Sequence, residues 1–205
     1  MLTTNAQKVS YAIGLGIARD FQSKGIALEP ESFSMGVRDA VSGLAPQLND
    51  QEIEVAMQAF QQEVAKQQAA EMAKAGAQNR IEGEAFLAKN GQNPEITTLP
   101  SGLQYRVIKQ GNGPIPKEGD TVTTHYRGIL IDGTQFDSSY DRGEPATFPV
   151  GGVIAGWTEA LQLMPVGSKW QLFIPAGLAY GLRGAGGVIG PDATLIFDIE
   201  LLGIG

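Results

Sequence analysis

Apolar residues in the first fifty positions recur at the spacing of an α-helix. Two series show this spacing: Val9, Ile13, Ile17 and Phe21, followed by Phe33, Val37, Val41 and Leu44. Residues three or four positions apart lie on one face of a helix, so each series predicts an amphipathic helix. Gly25 and Gly43 stand where the two helices should end, and Pro30 stands where the second should begin.

A third helix is predicted to begin after Asn49 and to be long. Asn49 is a favourable N-cap, and Glu52 three residues later completes the pattern of a capping box. The apolar stripe of this helix is Ile53, Met57, Phe60 and Val64. Beyond the stripe the chain turns polar, and no proline interrupts it before Pro94. A polar helix of this length is typical of a stalk between domains, although Gly76 and Gly83 weaken it.

Apolar residues in the second half of the chain alternate with other residues, as in β-strands. The alternating sets are Leu103, Tyr105 and Val107; Val122, Thr124 and Tyr126; Trp170, Leu172 and Ile174; and Leu195, Phe197, Ile199 and Leu201. This pattern predicts an antiparallel sheet that is covered on one face. The run Ile154–Met164 is the helical segment available to cover it, so the fold class is α+β.

Glycine and proline divide the chain into two parts of different composition. Residues 1–93 contain two prolines and eight glycines, whereas residues 94–205 contain nine prolines and nineteen glycines. Helices exclude both residue types from their interiors, and turn-rich sheets use both. The sequence therefore predicts a helical domain over 1–48, a connecting stalk helix over 49–93 and a sheet domain over 94–205.

The first two helices are too short to form a substantial core alone. Small residues on the first helix, such as Gly14 and Ala18, permit another helix to approach closely. Packing against a second copy would bury both apolar stripes, so we expect a homodimer through these helices. A self-contained three-helix bundle is the alternative.

The charge and hydropathy of the chain exclude several classes of partner. The net charge is -7 over 205 residues, which argues against a nucleic-acid partner. No stretch approaches the roughly 18 apolar residues of a membrane span. The segment Met1–Lys8 shows no basic region followed by an apolar run, so a cytoplasmic protein is expected as the sequence is written. A periplasmic or cell-surface location is the alternative if a leader has been removed.

Side chains for nucleophilic or metal chemistry are scarce. The chain has no cysteine and one histidine, His125, which the strand pattern places on the face opposite Tyr126. Asp132-Gly133 is a hairpin signal. Residues 137–141 lack the spacing of a calcium loop, so neither a metal nor a cofactor is expected.

The glycine-rich segment Gly181–Gly190 matches neither common nucleotide-binding pattern. Gly187-Val188 occupies the place of the Lys-Ser/Thr pair of a phosphate loop, and Ile189 occupies the third glycine position of a dinucleotide fingerprint.

Aromatic and branched residues lie beside turns and glycines across this half of the chain: Tyr126, Phe136, Val153, Ile154, Trp157, Tyr180 and Phe197. Together with Asp137 and Arg142 they have the composition of an apolar small-molecule pocket.

Ordered motifs across the second half resemble the FKBP-type peptidyl-prolyl cis-trans isomerases. The matching stretches are His125-Tyr-Arg-Gly128, Asp132-Gly-Thr-Gln-Phe-Asp-Ser-Ser139, Val153-Ile-Ala-Gly-Trp157, Leu163-Met-Pro-Val-Gly167, Ala179-Tyr-Gly181 and Ala193–Leu202. Three further stretches are Lys8-Val-Ser-Tyr-Ala-Ile-Gly14, Gly83-Glu-Ala-Phe-Leu87 and Leu99-Pro-Ser-Gly-Leu-Gln-Tyr105. Through them the helical half is similar to the dimerisation region and stalk of the macrophage infectivity potentiator group. The resemblance implies a curved antiparallel sheet wrapped on one short helix.

By resemblance, Asp137, Tyr180 and Tyr126 carry catalysis, with Asp137 positioned by Tyr126 and Arg142. The implied substrate-binding residues are Phe136, Arg142, Val153, Ile154, Trp157, Val188, Ile189 and Phe197. Trp157 forms the floor under the prolyl ring, and the glycine-rich segment becomes a flap that presents Val188 and Ile189. Ala146 stands where the best-known members have a rim phenylalanine, and Gly152 where they have a glutamate.

The implied activity is peptidyl-prolyl isomerisation in folding client proteins, with chaperone activity from a dimeric cleft. The implied partners are proline-containing unfolded chains, a second copy, and macrolide inhibitors of the rapamycin type. The alternative is a module that binds unfolded chains and isomerises them only incidentally.

Overall fold

The computed structural model describes residues 2–205 of the chain. These form two compact units, one ending at Gln68 and the other comprising Ala69–Gly205. Five α-helices lie at Asn5–Ser23 (α1), Pro30–Ser42 (α2), Asp50–Asn90 (α3), Ser139–Arg142 (α4) and Ala155–Leu161 (α5). Among the described residues, no helix is both long enough and apolar enough to cross a membrane.

The three predicted N-terminal helices are confirmed, together with the residues that end or begin them. Gly43 closes α2 in the left-handed conformation. The Glu52 backbone N–H donates to Asn49 Oδ1 at 2.9 Å, and the Asn49 N–H donates to Glu52 Oε2 at 2.9 Å, which is the predicted capping box of α3. α3 is 41 residues long, and its buried residues are Gly76 and Gly83.

The predicted apolar stripe of α1 lies largely in solvent. Ile13 is 58% exposed and Val9 is 50% exposed. Within residues 2–68, no apolar side chain is buried, and the one buried residue is Asp39. The first unit of a single chain therefore has helices without an apolar core.

The second unit is built on an antiparallel sheet of seven strands. They lie at Thr97–Thr98 (β1), Gln104–Lys109 (β2), Thr121–Leu130 (β3), Gln135–Ser138 (β4), Ala146–Pro149 (β5), Lys169–Ile174 (β6) and Leu195–Ile204 (β7). The strand order is β1-β2-β6-β7-β3-β4, with β5 paired to the first half of β3. The α+β fold class is confirmed.

Strand β3 follows the predicted alternation and lies at the centre of the pairing. Val122, Thr124 and Tyr126 are buried, whereas the residues between them are partly exposed. β3 pairs with β7 along its length, with β5 near its start and with β4 near its end. The predicted Asp132-Gly133 turn joins β3 to β4, with Gly133 at a φ of +90°.

Strand β2 departs from the predicted alternation. Val107, expected on the apolar face, is 42% exposed, and the polar Gln104 is buried. Helix α3 accounts for the burial of Gln104, because the Gln104 amide donates to the Leu87 carbonyl at 2.9 Å and accepts from Asn90 at 2.9 Å. A buried polar side chain is stable where its hydrogen bonds are satisfied in this way.

Helix α5 covers the sheet, as predicted, but is shorter than the expected run 154–164. Its buried residues include Gly156, Trp157 and Leu161. A Cβ on Gly156 would lie 2.5 Å from Ile174 Cγ2 in β6, so glycine is needed at this helix–sheet contact. The core beneath α5 is formed by buried apolar residues that include Val122, Leu172, Ile174, Leu195 and Ile199.

We expect Gly156→Ala to lower the urea concentration at the unfolding midpoint of the second unit. The added methyl group overpacks the contact with Ile174, which should reduce the free energy of unfolding by about 1–3 kcal/mol. Both tryptophans, Trp157 and Trp170, belong to this unit, so their fluorescence follows its unfolding. Gly177→Ala is the matched control, because a Cβ there has no heavy atom within 4 Å. Equal midpoints for the two variants would contradict the close contact.

Candidate functional site

A cavity of about 550 Å³ opens in the second unit beside α5. It is lined by Tyr126, Phe136, Asp137, Phe148, Gly152, Val153, Ile154, Trp157, Tyr180, Ala185, Gly186, Val188, Ile189 and Phe197. Most of these side chains are aromatic or branched, and Asp137 is the one acidic residue among them. The composition is that of a small-molecule or side-chain pocket with few polar groups.

Trp157 is the centre of the aromatic walls. Its ring meets Tyr126 at 5.3 Å, Phe148 at 5.8 Å and Phe197 at 5.2 Å between centroids, each in an edge-to-face arrangement. Phe136 in turn meets Phe197 edge to face at 5.4 Å. Edge-to-face pairs at these distances are favourable for aromatic rings, so the walls support one another.

Asp137 is held by a closed set of hydrogen bonds at the wall of the cavity. The Tyr126 hydroxyl donates to Asp137 Oδ2 at 2.5 Å, and Arg142 Nη1 donates to Asp137 Oδ1 at 2.5 Å. Arg142 Nη2 also donates to the Tyr126 hydroxyl at 2.7 Å. Both carboxylate oxygens thus have fixed donors, and Asp137 cannot rotate without breaking them.

This arrangement keeps Asp137 ionised. Partial burial, the largest single influence, raises the pKa of the Asp137 carboxyl. The hydrogen bonds from Tyr126 and Arg142, with the positive charge of Arg142, outweigh burial and leave the pKa below its ordinary value. Burial and the hydrogen bond to Asp137 raise the pKa of Tyr126, so its hydroxyl stays protonated.

The start of α4 is fixed to β3 by a residue that the sequence did not single out. Ser139 is fully buried. Its hydroxyl accepts from the Tyr126 backbone N–H at 2.7 Å and donates to the Tyr126 carbonyl at 3.2 Å. The same hydroxyl lies 3.0 Å from His125 Nδ1. Ser139 therefore places Asp137, two residues earlier, beside Tyr126.

His125 does not reach the cavity. Its ring stacks on Tyr140 at 4.8 Å and is partly buried. This agrees with the predicted position on the face opposite Tyr126. The ring is less exposed than expected for a solvent-facing strand residue, because Tyr140 covers part of it.

The glycine-rich segment forms a hydrogen-bonded loop over one side of the cavity. Ala185 and Ile189 exchange backbone hydrogen bonds of 2.8 and 3.0 Å. Gly184 has a φ of +61°, and a Cβ there would overlap the Ile189 carbonyl, so the turn requires glycine. Ile189 is buried and Val188 is 50% exposed, and both contribute to the lining.

Tyr180 lies where this loop begins and is 40% exposed. Among the hydrogen bonds formed within residues 2–205, none involves its hydroxyl. The hydroxyl at the mouth of an apolar cavity is thus available to a ligand.

The structure brings the sequence-predicted residues together. Ten of the eleven line the cavity, namely Tyr126, Phe136, Asp137, Val153, Ile154, Trp157, Tyr180, Val188, Ile189 and Phe197. The eleventh, Arg142, reaches Asp137 instead of lining the cavity. Ala146, expected at the rim, does not line it, because it lies in β5 opposite Thr124 and packs towards the core.

Phe148 was missed by sequence reasoning. It lines the cavity and contacts both Trp157 and Tyr126, the latter at 5.8 Å. Phe148 is two positions after Ala146, so both belong to the same face of β5. The sequence signal for Phe148 is an aromatic residue two positions after the expected rim residue Ala146, which is the spacing of one face of a strand.

Two family models match the chain. The model described as the FKBP-type peptidyl-prolyl cis-trans isomerase matches residues 113–202, and the model of the domain amino terminal to it matches residues 6–107.

Relatives match over nearly the whole length. The outer membrane protein MIP of Legionella longbeachae is 47% identical over 203 residues, covering 99% of this chain and 87% of that protein. The FKBP-type 22 kDa peptidyl-prolyl cis-trans isomerase of Escherichia coli is 47% identical over 206 residues, covering 98% and 96%.

A solved structure shares the architecture. The crystal structure of FkpA from Escherichia coli is 40% identical, with a TM-score of 0.79 over 100% of this chain and 98% of that one. The sequence matches, the shared fold and the aromatic cavity agree, and the chain belongs to the FKBP-type peptidyl-prolyl cis-trans isomerase family.

Proposed function

We propose that the chain accelerates cis-trans isomerisation of X-Pro bonds in unfolded or partly folded client proteins, with the aromatic cavity as its active site. One observation carries the proposal: a cavity walled by aromatic rings holds a single fixed, ionised carboxylate. Family membership supports the reaction class, and the cavity geometry supports the roles of individual residues.

The reaction requires rotation about an amide bond and no covalent exchange. The barrier of about 18–20 kcal/mol comes from the resonance lost when the amide twists. A twisted amide has a less polar carbonyl than a planar one, so an apolar, water-poor cavity favours the twisted form. Binding energy realised in the transition state in this way raises the rate. Trp157 forms the floor for the prolyl ring, with Tyr126, Phe136 and Phe197 as walls.

Asp137 acts on the rotating bond without transferring a proton. Tyr126 and Arg142 fix its carboxylate beside the space that the substrate carbonyl occupies. A fixed charge that needs no reorganisation stabilises the twisted geometry more than water does. The alternative is that Asp137 only anchors the loop through Arg142.

Tyr180, Val188 and Ile189 hold the peptide in register. The Tyr180 hydroxyl donates to a substrate carbonyl, and the two aliphatic side chains cover the residues beside the proline. Val153 and Ile154 complete the wall nearest α5. Rapamycin-type macrolides occupy the same cavity in competition with the prolyl substrate, and the glycine at position 152 alters their contacts at its edge.

The first unit forms a homodimer through α1 and α2. Support comes from exposed apolar side chains, among which Val41 is 84% exposed and Ile13 58%. A groove of about 740 Å³ between these helices is lined by residues such as Tyr11, Leu15 and Phe33. Exposed apolar surface of this kind is typical of an interaction site. A second copy is a better account of it than a self-contained three-helix bundle.

The division into a dimerisation domain over 1–48, a stalk over 49–93 and an isomerase domain over 94–205 remains part of this proposal. So does the cytoplasmic location, with the periplasm or the cell surface as the alternative. A second candidate function is capture of unfolded chains by apolar surface that dimerisation leaves open. The exposed apolar residues of the first unit favour it. In that case, Asp137 variants would still suppress aggregation of a denatured client.

We expect Asp137→Ala to reduce kcat/KM for a short X-Pro peptide by about 10- to 100-fold, because the fixed charge is lost from the transition state. Tyr180→Phe removes one hydrogen bond, for which we expect a loss of about three- to tenfold. A protease-free assay that follows cis-to-trans conversion by NMR measures both variants.

Asp141→Ala is the control for these variants. Asp141 lies in α4 beside Arg142 but does not line the cavity, and its carboxylate accepts from Gln135. We expect its activity to match that of the unaltered chain. Full activity of Asp137→Ala would contradict the proposed role, and inactivity of the unaltered chain would favour the binding module.

We expect Ile13→Asp to convert a dimer to a monomer in sedimentation velocity, since it places a charge in the proposed interface. Because Ile13 is exposed in the single chain, the helix itself should still form. Activity on a short peptide should stay unchanged. Lys117→Asp, a charge change at an exposed residue of the second unit, should remain dimeric. An unaltered chain that sediments as a monomer would refute the dimer.

A further inference from the structure

The second half of α3 presents one face to the loop that follows the flap. Gly76, Asn79 and Gly83 are spaced by three and four residues, so they share this face. A Cβ on Gly76 would lie 3.4 Å from Pro191 Cβ, and a Cβ on Gly83 would overlap Thr194 Oγ1. The Asn79 side-chain amide donates to the Pro191 carbonyl at 2.8 Å.

This contact explains two glycines that otherwise weaken the helix. Glycine in a helix interior costs roughly 1 kcal/mol relative to alanine. At Gly83 a side chain would collide with the loop, and at Gly76 it would touch it. Both residues are buried, whereas most of α3 is exposed. The glycines therefore allow the helix backbone to approach residues 191–194.

The residues that α3 contacts lie at the base of the flap. The Asp192 backbone N–H donates to the Gly181 carbonyl at 2.8 Å, so the loop from Gly181 to Asp192 is tied at its base. Asp192 has a φ of +53°, in the left-handed region that non-glycine residues seldom adopt. Ile189, two residues before Pro191, is buried in the wall of the cavity.

We propose that Asn79 is a positioning residue for the isomerase site, which holds the base of the flap and thereby places Val188 and Ile189 against the peptide. The hydrogen bond to Pro191 joins the stalk helix to the residue that directly follows the flap. The flap is thus organised before substrate arrives.

The kinetic consequence follows from what the flap touches, and it depends on the isomerase function proposed above. Val188 and Ile189 contact the peptide in the planar and twisted states alike. If the flap must become ordered when the peptide binds, the ordering costs free energy. This cost weakens the binding of the planar peptide and of the twisted peptide by the same amount. Loss of the Asn79 hydrogen bond should therefore raise KM and leave kcat nearly unchanged.

The experiment compares Asn79→Ala and Asn79→Asp in the full chain, with a proline-containing peptide long enough to pass the flap. Asn79→Asp keeps the size of the side chain but removes the donor. We expect a rise in KM of about three- to tenfold for each variant, with kcat within about twofold. Asn79→Gln retains a donor and should restore most of the affinity.

Gln78→Ala is the matched control, because Gln78 is exposed on the same turn and bonds only to Glu82 of its own helix. Methyl NMR gives a readout that does not depend on turnover: Asn79→Ala should shift the Ile189 methyl signals and leave those of Ile174 in place. KM and Ile189 shifts equal to those of Gln78→Ala would overturn the proposal. If the unaltered chain showed no acceleration, the isomerase function would fail, whereas the Ile189 shift would still test the positioning role.

Discussion

The active site depends on how closely helix α5 packs against the sheet. Gly156 permits this approach, because any side chain there would meet Ile174 of β6. The next residue, Trp157, is then fixed with its ring edge-on to Tyr126 of β3 and Phe197 of β7. A helix displaced by the width of a methyl group would separate the floor of the cavity from both walls. One backbone contact in the core thus determines the shape of the apolar site.

The polar part of the site is built beside Tyr126 of β3, and it depends on hydrogen bonds where the apolar part depends on core packing. Ser139 binds both backbone groups of Tyr126, and the Tyr126 hydroxyl and Arg142 then hold both oxygens of Asp137. Tyr126 belongs to both parts of the site, because its ring lines the cavity and its hydroxyl donates to Asp137. The result is a cavity with a permanent negative charge and no group suited to proton transfer near neutral pH.

The parts of this structure that could be predicted from the sequence depend on local rules or on ordered motifs. The Asn49 cap of α3 and the alternation of β3 follow from residues a few positions apart. Eight of the ten predicted cavity residues followed from aromatic and branched side chains beside turns and from Asp137, and Val188 and Ile189 followed from the family resemblance. What could not be predicted depends on contacts between distant segments: the burial of Gln104 by α3 and the close approach at Gly83 require the tertiary arrangement. The sequence alone presents that glycine as a weakness of the helix, since its partner, Thr194, lies more than a hundred positions away.

The central claim is that this cavity accelerates amide rotation with fixed charge and apolar walls, and without proton transfer. The most direct test is the exchange rate of a short X-Pro peptide, measured by NMR from about pH 5 to about pH 8 in H₂O and in D₂O. The pKa of Asp137 is lowered, so its carboxylate is lost only as the pH falls below the ordinary range of about 3.9. The account predicts a clear acceleration that stays constant across this pH range and is nearly equal in the two solvents. A rate that changes with a midpoint near pH 6.5, or falls about twofold or more in D₂O, would show that a proton moves in the rate-limiting step and would contradict it.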